Sequence, residues 1–156
     1  MPLTRVGGIF RSFLRNACAT KTQNRLQTPL VGILFVHLSK LLIMQILGQP
    51  ITRSELKALA QNTFGDMIKC VADVRRGLIA VDADLHADLE RLLLEDGSAQ
   101  ENLWGFNLWV EEDEEDFIEF DSLINIRSWQ GNSSRDVEDP EVRNVIKSIV
   151  DKFITA

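Results

Sequence analysis

From Met44 onward, apolar residues recur with two alternating periods, and each change of period marks an element. The apolar stretch from Ile43 to Leu47 ends at Gly48-Gln49-Pro50 and suits an edge strand. Thr52 and Glu55 then have the spacing of a capping box, with Ile51 and Leu56 placed as a hydrophobic staple. Leu56, Leu59 and Ala60 continue at helical spacing until Gly65 stops the helix. Met67–Val74 and Leu78–Val81 read as strands, and Arg75-Arg76-Gly77 between them predicts a tight hairpin turn. Asp84–Leu94 returns to helical spacing, with Leu85, Leu89, Leu92 and Leu93 on one face and Asp84 as the expected cap.

The second half repeats this logic. Trp104, Phe106, Leu108 and Val110 alternate with Gly105, Asn107 and Trp109, which is a strand with one buried face. Phe117–Arg127 alternates again: Ile118, Phe120, Ile124 and Ile126 toward the core, Glu119, Asp121, Asn125 and Arg127 away from it. The six acidic residues Glu111–Asp116 lie between the two runs and predict an exposed hairpin tip. Asp139 and Pro140 open a last helix whose stripe runs from Val142 through Val145, Ile146, Ile149, Val150 and Phe153 to Ile154. The order α-β-β-α-β-β-α predicts an α+β fold: a mainly antiparallel four-stranded sheet with helices on one face.

Charge divides the chain. Residues 1–43 carry six basic and no acidic residues, a net +6, whereas residues 44–156 hold all 23 acidic and 11 of the 17 basic residues, a net −12. Residues 44–156 therefore read as a single acidic domain that repels phosphate backbones, so no nucleic-acid partner is expected. Residues 1–43 read as a basic extension, disordered, dispensable or non-native, with a targeting peptide or a membrane anchor as the competing readings. The anchor reading is weak: Leu30–Leu47 is 18 residues long and Lys40 interrupts it, while a spanning helix wants about 20 apolar residues and a central Lys costs about 2.5–3.5 kcal/mol. Neither a membrane partner for the domain nor a cofactor is expected. Cys18 and Cys70 fall one in each part, which argues against a disulfide framework and for a cytoplasmic chain. Cys70 lies in an apolar run and reads as a small core residue.

Candidate chemistry is sparse. The chain has no phosphate-binding glycine loop, no paired CxxC, no HExxH and no GxSxG elbow. His86 is the single histidine of the domain, and Glu90, four residues later, shares its helix face. With Asp82 or Asp84 as a third oxygen ligand the pair can be read as metal ligands, although acids in a first helical turn need no metal to explain them. A second candidate is the polar loop 125–136, which holds two Arg, three side-chain amides, three Ser and a Trp. Arg127 and Arg135 suit a carboxylate or phosphate, helped by Asn125, Gln130 and Asn132. The competing reading is a structured loop whose amides satisfy its own backbone, with Arg127 paired to Glu119 or Asp121. Trp109 and Trp129 fall outside the apolar stripes, and exposed Trp residues anchor interfaces.

The stretch from Thr52 to Ile154 resembles a family of small bacterial proteins classed only as a domain of unknown function. The resemblance rests on Phe64-Gly-Asp-Met67, Leu85-His-Ala-Asp88, Leu93-Leu-Glu-Asp-Gly-Ser98, Leu103-Trp-Gly105, Phe117-Ile-Glu-Phe-Asp-Ser122, Ile124-Asn-Ile-Arg127, Gln130-Gly-Asn132 and Val137-Glu-Asp-Pro140. It implies a domain beginning near Met44 and supplies no catalytic residue. The functional expectation is thus a cytoplasmic binding or accessory domain rather than a well-formed enzyme, which recognises a small anionic ligand or a protein partner through the 125–136 loop. Two alternatives stand beside it: a small metal-assisted hydrolase built on His86 and its carboxylate neighbours, and a homo-oligomeric interaction scaffold.

Overall fold

A computed structural model describes residues 44–156, and the expectations for residues 1–43 lie outside the described residues. The helix starts follow the local chemistry. Helix α1 (Arg53–Ala60) opens with the expected capping box: Thr52 Oγ1 accepts from the Glu55 N–H at 3.2 Å, and Glu55 Oε2 accepts from the Thr52 N–H at 2.8 Å. Helix α3 (Pro140–Phe153) starts from Asp139, whose carboxylate accepts from the Glu141 N–H. Helix α2 (His86–Glu95) differs from expectation. Its cap is Leu85, in extended conformation with no side-chain cap, so Asp84 does not hold that position.

The strands are β1 (Gln45–Ile46), β2 (Ile51–Thr52), β3 (Met67–Asp73), β4 (Leu78–Val81), β5 (Leu103–Trp109), β6 (Ile118–Glu119) and β7 (Ile154–Thr155). Five of them form an antiparallel sheet in the order β1-β4-β3-β5-β6, while β2 and β7 make a short parallel pair. The class is α+β with a mainly antiparallel sheet, as expected, and the fifth strand is the edge stretch before Gly48. The β3–β4 hairpin turns at Gly77, φ 64°, and Asp73 Oδ1 accepts from the Arg75 and Arg76 N–H groups at 2.9 Å each.

The helices occupy both faces of this sheet, not one. On the first face α1 and α3 pack Leu56, Ala60, Ile146, Ile149, Val150 and Phe153 against Ile68, Cys70, Ile79, Val81, Phe106 and Leu108. On the other, α2 packs Leu89 and Leu93 against Val71, Ala80 and Leu103. The physical sign of two covered faces is the uninterrupted run Leu-Ile-Ala-Val of β4, since a strand with one wet face alternates. Among the described residues no helix is long and apolar enough to cross a membrane.

The largest departure lies after β6. The expected strand Phe117–Arg127 keeps its ladder only at Ile118 and Glu119, then leaves it for 3₁₀ turns at Leu123–Asn125 and Ser128–Gln130. Consequently Asn125 is fully buried, where the alternation placed it outward, and Ile126 is 47% exposed, where the alternation placed it in the core. Gly105 makes this path possible. A Cβ at that position would stand 2.5 Å from Ser122 Oγ and 2.7 Å from Ser122 Cβ. Gly105→Ala is therefore expected to cost about 1–3 kcal/mol through overpacking, read as a lowered thermal midpoint.

Candidate functional site

The segment from Ser122 to Asp136 folds around its own polar side chains. The Asn125 amide lies against the β5 edge: its Oδ1 accepts from the Gly105 N–H at 2.9 Å, and its Nδ2 donates to the Gly105 carbonyl at 2.8 Å and the Arg135 carbonyl at 2.9 Å. Asn132 Nδ2 donates to the carbonyls of Asn125, Ser134 and Asp136, and its Oδ1 accepts from the Glu138 N–H. Gln130 Nε2 donates to the Glu101 carbonyl at 2.9 Å. Each of these amides satisfies backbone that the irregular path would otherwise leave unpaired.

Arg127 and Arg135 are committed to different partners. Arg127 is only 4% exposed. Its Nε donates to the Ile124 carbonyl at 2.8 Å, Nη1 to the Gln100 carbonyl at 2.7 Å, and Nη2 to Glu90 Oε1 at 3.4 Å. Its guanidinium carbon also lies 5.3 Å from the Trp104 ring centroid. Burial pushes its pKa below the ordinary value, opposed by Glu90 and Glu101. The partner is thus Glu90 of α2, not Glu119 or Asp121. Arg135 takes Asp121 in a two-pronged pair on the surface, with Nε 2.6 Å from Oδ1 and Nη2 2.9 Å from Oδ2. The two arginines expected to clamp one anion thus each hold a separate carboxylate.

With Asn125, Arg127 and Asn132 turned inward, the segment turns three large apolar side chains outward. Leu123 is 69%, Ile126 47% and Trp129 71% exposed, at three-residue spacing across the two 3₁₀ turns. Alternation alone points Ile126 inward; the short turns of the segment reverse it.

The residues expected to bind metal are not gathered. The His86 ring turns into the sheet, where Nε2 donates to the Phe106 carbonyl at 2.9 Å, the carbonyl fixing which nitrogen carries the proton. Burial lowers its pKa to about 4; the Phe106 bond opposes the shift, Lys69 adds to it, and Asp121 and Asn107 oppose it. Glu90 accepts instead from Arg127 and Gln100. Among the described residues no group of three His, Cys, Asp or Glu side chains is placed to hold a metal ion.

Asp82, the other acid read as a third metal ligand, is buried. It follows β4 with φ 70°, in the left-handed region, is 1% exposed, and neither carboxylate oxygen has a hydrogen-bond partner. Burial, with a contribution from Asp84, raises its pKa to about 6. The neighbouring Cys70 thiol is fully buried and pushed up by burial and by Asp82, which suits a core residue. The acidic tip borders an open cleft of about 500 Å³ beside Trp109, Ile118 and Glu119, where the Trp109 indole and the Asn107 amide both donate to Glu119 Oε2.

These features define a small antiparallel α+β domain whose buried loop amides and Arg127 build the fold and whose loop surface carries three large apolar side chains. The chain belongs to the family described as protein of unknown function, DUF5674, which it matches over residues 45–153. No curated protein and no solved structure matches it.

Proposed function

We propose that the domain is a binding module whose 123–130 segment docks a protein partner. The observation that carries this reading is the concentration of Leu123, Ile126 and Trp129, all exposed, on a segment held rigid by buried Asn125, Arg127 and Asn132. Exposed large apolar side chains on a fixed backbone bind without the cost of ordering a loop, and Trp is among the residues most enriched at binding hot spots. The partner's chemistry follows from charge. The domain carries −12, and Asp121, Asp136, Glu138 and Glu101 surround the segment in sequence or contact. A partner segment that combines apolar side chains with Lys or Arg is complementary. A second copy of the chain would bring the same negative charge to the contact, which weighs against the oligomeric scaffold. Enzymatic action gains no support from this segment, since Asn125, Arg127 and Gln130 are engaged by backbone carbonyls and by Glu90.

Photo-crosslinking tests the reading. Benzoylphenylalanine at position 129 of the full chain, expressed in its own cells, is expected to yield one discrete adduct with another protein. Leu123→Asp and Ile126→Asp should remove that adduct, and a label at exposed Lys147 should not produce it. Absence of an adduct above the Lys147 control, or adducts indifferent to both substitutions, would sink the proposal. Because these side chains point to solvent, Leu123→Asp and Trp129→Ala should each move stability by no more than about 0.5 kcal/mol, so lost crosslinking cannot be ascribed to unfolding.

A further inference from the structure

A different surface collects positive charge. The turn between β3 and β4 faces the side of α3 across a cleft of about 470 Å³. Arg75 and Arg76 enter it from the turn, and Asn144, Ser148 and Lys152 from the helix, at four-residue spacing that places them on one helix face. No carboxylate lines it, although the domain as a whole has twice as many acidic as basic residues. Its apolar wall includes Val145, which is 41% exposed although it belongs to the apolar stripe of α3.

The cations differ in availability. Arg76 is spent: its guanidinium donates to Ser98 Oγ at 2.9 Å, to the Asp96 carbonyl at 3.1 Å and to Asp96 Oδ2 at 2.8 Å. Arg75 has no side-chain hydrogen bond or ion pair among the described residues, yet its backbone is fixed by the Asp73 carboxylate. Lys152 likewise makes no ion pair there; its ammonium lies 4.7 Å from the Phe153 ring centroid. A guanidinium with free donors on a rigid turn, and an ammonium and the Asn144 amide on the facing helix, form a donor set without a native acceptor, while Ser148 Oγ donates to the Asn144 carbonyl at 2.9 Å. The cleft has the size of a small-molecule site, within the usual range of about 300–1,000 Å³.

We infer that the cleft between the β3–β4 turn and α3 binds a small organic anion, its phosphate or carboxylate group held by Arg75 and Lys152 and its apolar body laid against Val145. The inference is independent of partner docking through residues 123–130, since the two surfaces share no residue. Anion recognition, expected at Arg127 and Arg135, is thereby reassigned to Arg75, whose side-chain donors have no partner among the described residues.

Phenyl phosphate is a suitable probe, because it joins both halves of that chemistry. Added at millimolar concentration to ¹⁵N-labelled full-length protein, it should shift the amide signals of residues 75–77 and 144–152 saturably. Inorganic phosphate should shift them more weakly. Arg75→Ala and Lys152→Ala should each weaken the titration roughly tenfold, the loss of about one charge-assisted contact, and Arg75→Glu should abolish it. Both side chains are exposed, so the variants should melt with the parent. The inference fails if phenyl phosphate shifts no signal, shifts only signals elsewhere, or titrates Arg75→Glu as it does the parent.

Discussion

Asn125→Ala is expected to destabilise the domain by about 3–5 kcal/mol, which for a chain of this size lowers the thermal midpoint by roughly 12–20 °C. The argument runs through Gly105. Strand β6 pairs with β5 only at Asn107 and Leu108, so the free edge of β5 at Gly105 has no strand beside it. The Asn125 side chain takes that place: a primary amide offers the same donor and acceptor as a peptide group, and here it gives one to each side of Gly105. Its remaining N–H reaches the Arg135 carbonyl and ties the end of the loop to its beginning. Removing the amide leaves a buried N–H and a buried carbonyl unpaired on Gly105, each worth about 1–3 kcal/mol, and leaves the Arg135 carbonyl to the Ser122 N–H alone. Asn125→Asp should be no better, because a carboxylate cannot donate to the Gly105 carbonyl and would be charged at a fully buried position. Chemical denaturation of the three proteins decides the matter. A shift under about 1 kcal/mol for Asn125→Ala would mean that water replaces the amide, and that the loop is not built on it.

This residue also shows where the sequence stops being legible. The Thr52–Glu55 capping box, the Asp139-Pro140 start and the β3–β4 turn were readable because their chemistry is local: donor and acceptor lie within three residues of each other. Asn125 and Gly105 are twenty residues apart, and nothing in the alternation of Phe117–Arg127 distinguishes a strand from two short turns pinned by side-chain amides. The Arg127–Glu90 contact spans 37 residues and was equally hidden, so a buried structural arginine looked like a free anion clamp. A clue was present in composition: three Asn or Gln side chains among twelve residues can serve the backbone as well as a ligand. The position of α2 on the second sheet face was written in the unbroken Leu78–Val81 run, a pattern that alternation templates do not weigh. Asp82 was legible only as a possible metal ligand, because an acid at the end of a strand ordinarily faces water; its left-handed backbone and its burial have no signal in the pattern of apolar residues.

Asp82 and His86 should give stability two opposing pH dependences that nearly cancel in the parent. Burial raises the Asp82 pKa from 3.8 to about 6, so the folded state holds this proton more tightly than the unfolded state. Its contribution is full below about pH 4 and is lost as pH rises to about 6, a change of about 3 kcal/mol. His86 is the reverse. Its pKa falls from 6.5 to about 4, so its contribution is full above about pH 6.5 and is lost, by a similar amount, as pH falls to about 4. The groups acting on each are distinct, Asp84 on Asp82 and Lys69, Asn107 and Asp121 on His86, so each can be removed alone. Asp82→Asn keeps a side chain that tolerates the left-handed backbone and deletes the buried charge. Relative to the parent it should gain about 2–3 kcal/mol at pH 7 and little at pH 4, exposing the His86 slope: stability that rises with pH. His86→Gln keeps a donor for the Phe106 carbonyl and deletes the titration. Its difference from the parent should move about 3 kcal/mol in its own favour between pH 7 and pH 4, exposing the Asp82 slope. Urea melts of the three proteins across this range measure both slopes directly. If Asp82→Asn showed the same offset from the parent at pH 4 and pH 7, the carboxylate would be ionised and solvated in the folded state. The buried, unpaired acid at the end of β4 would then have to be abandoned.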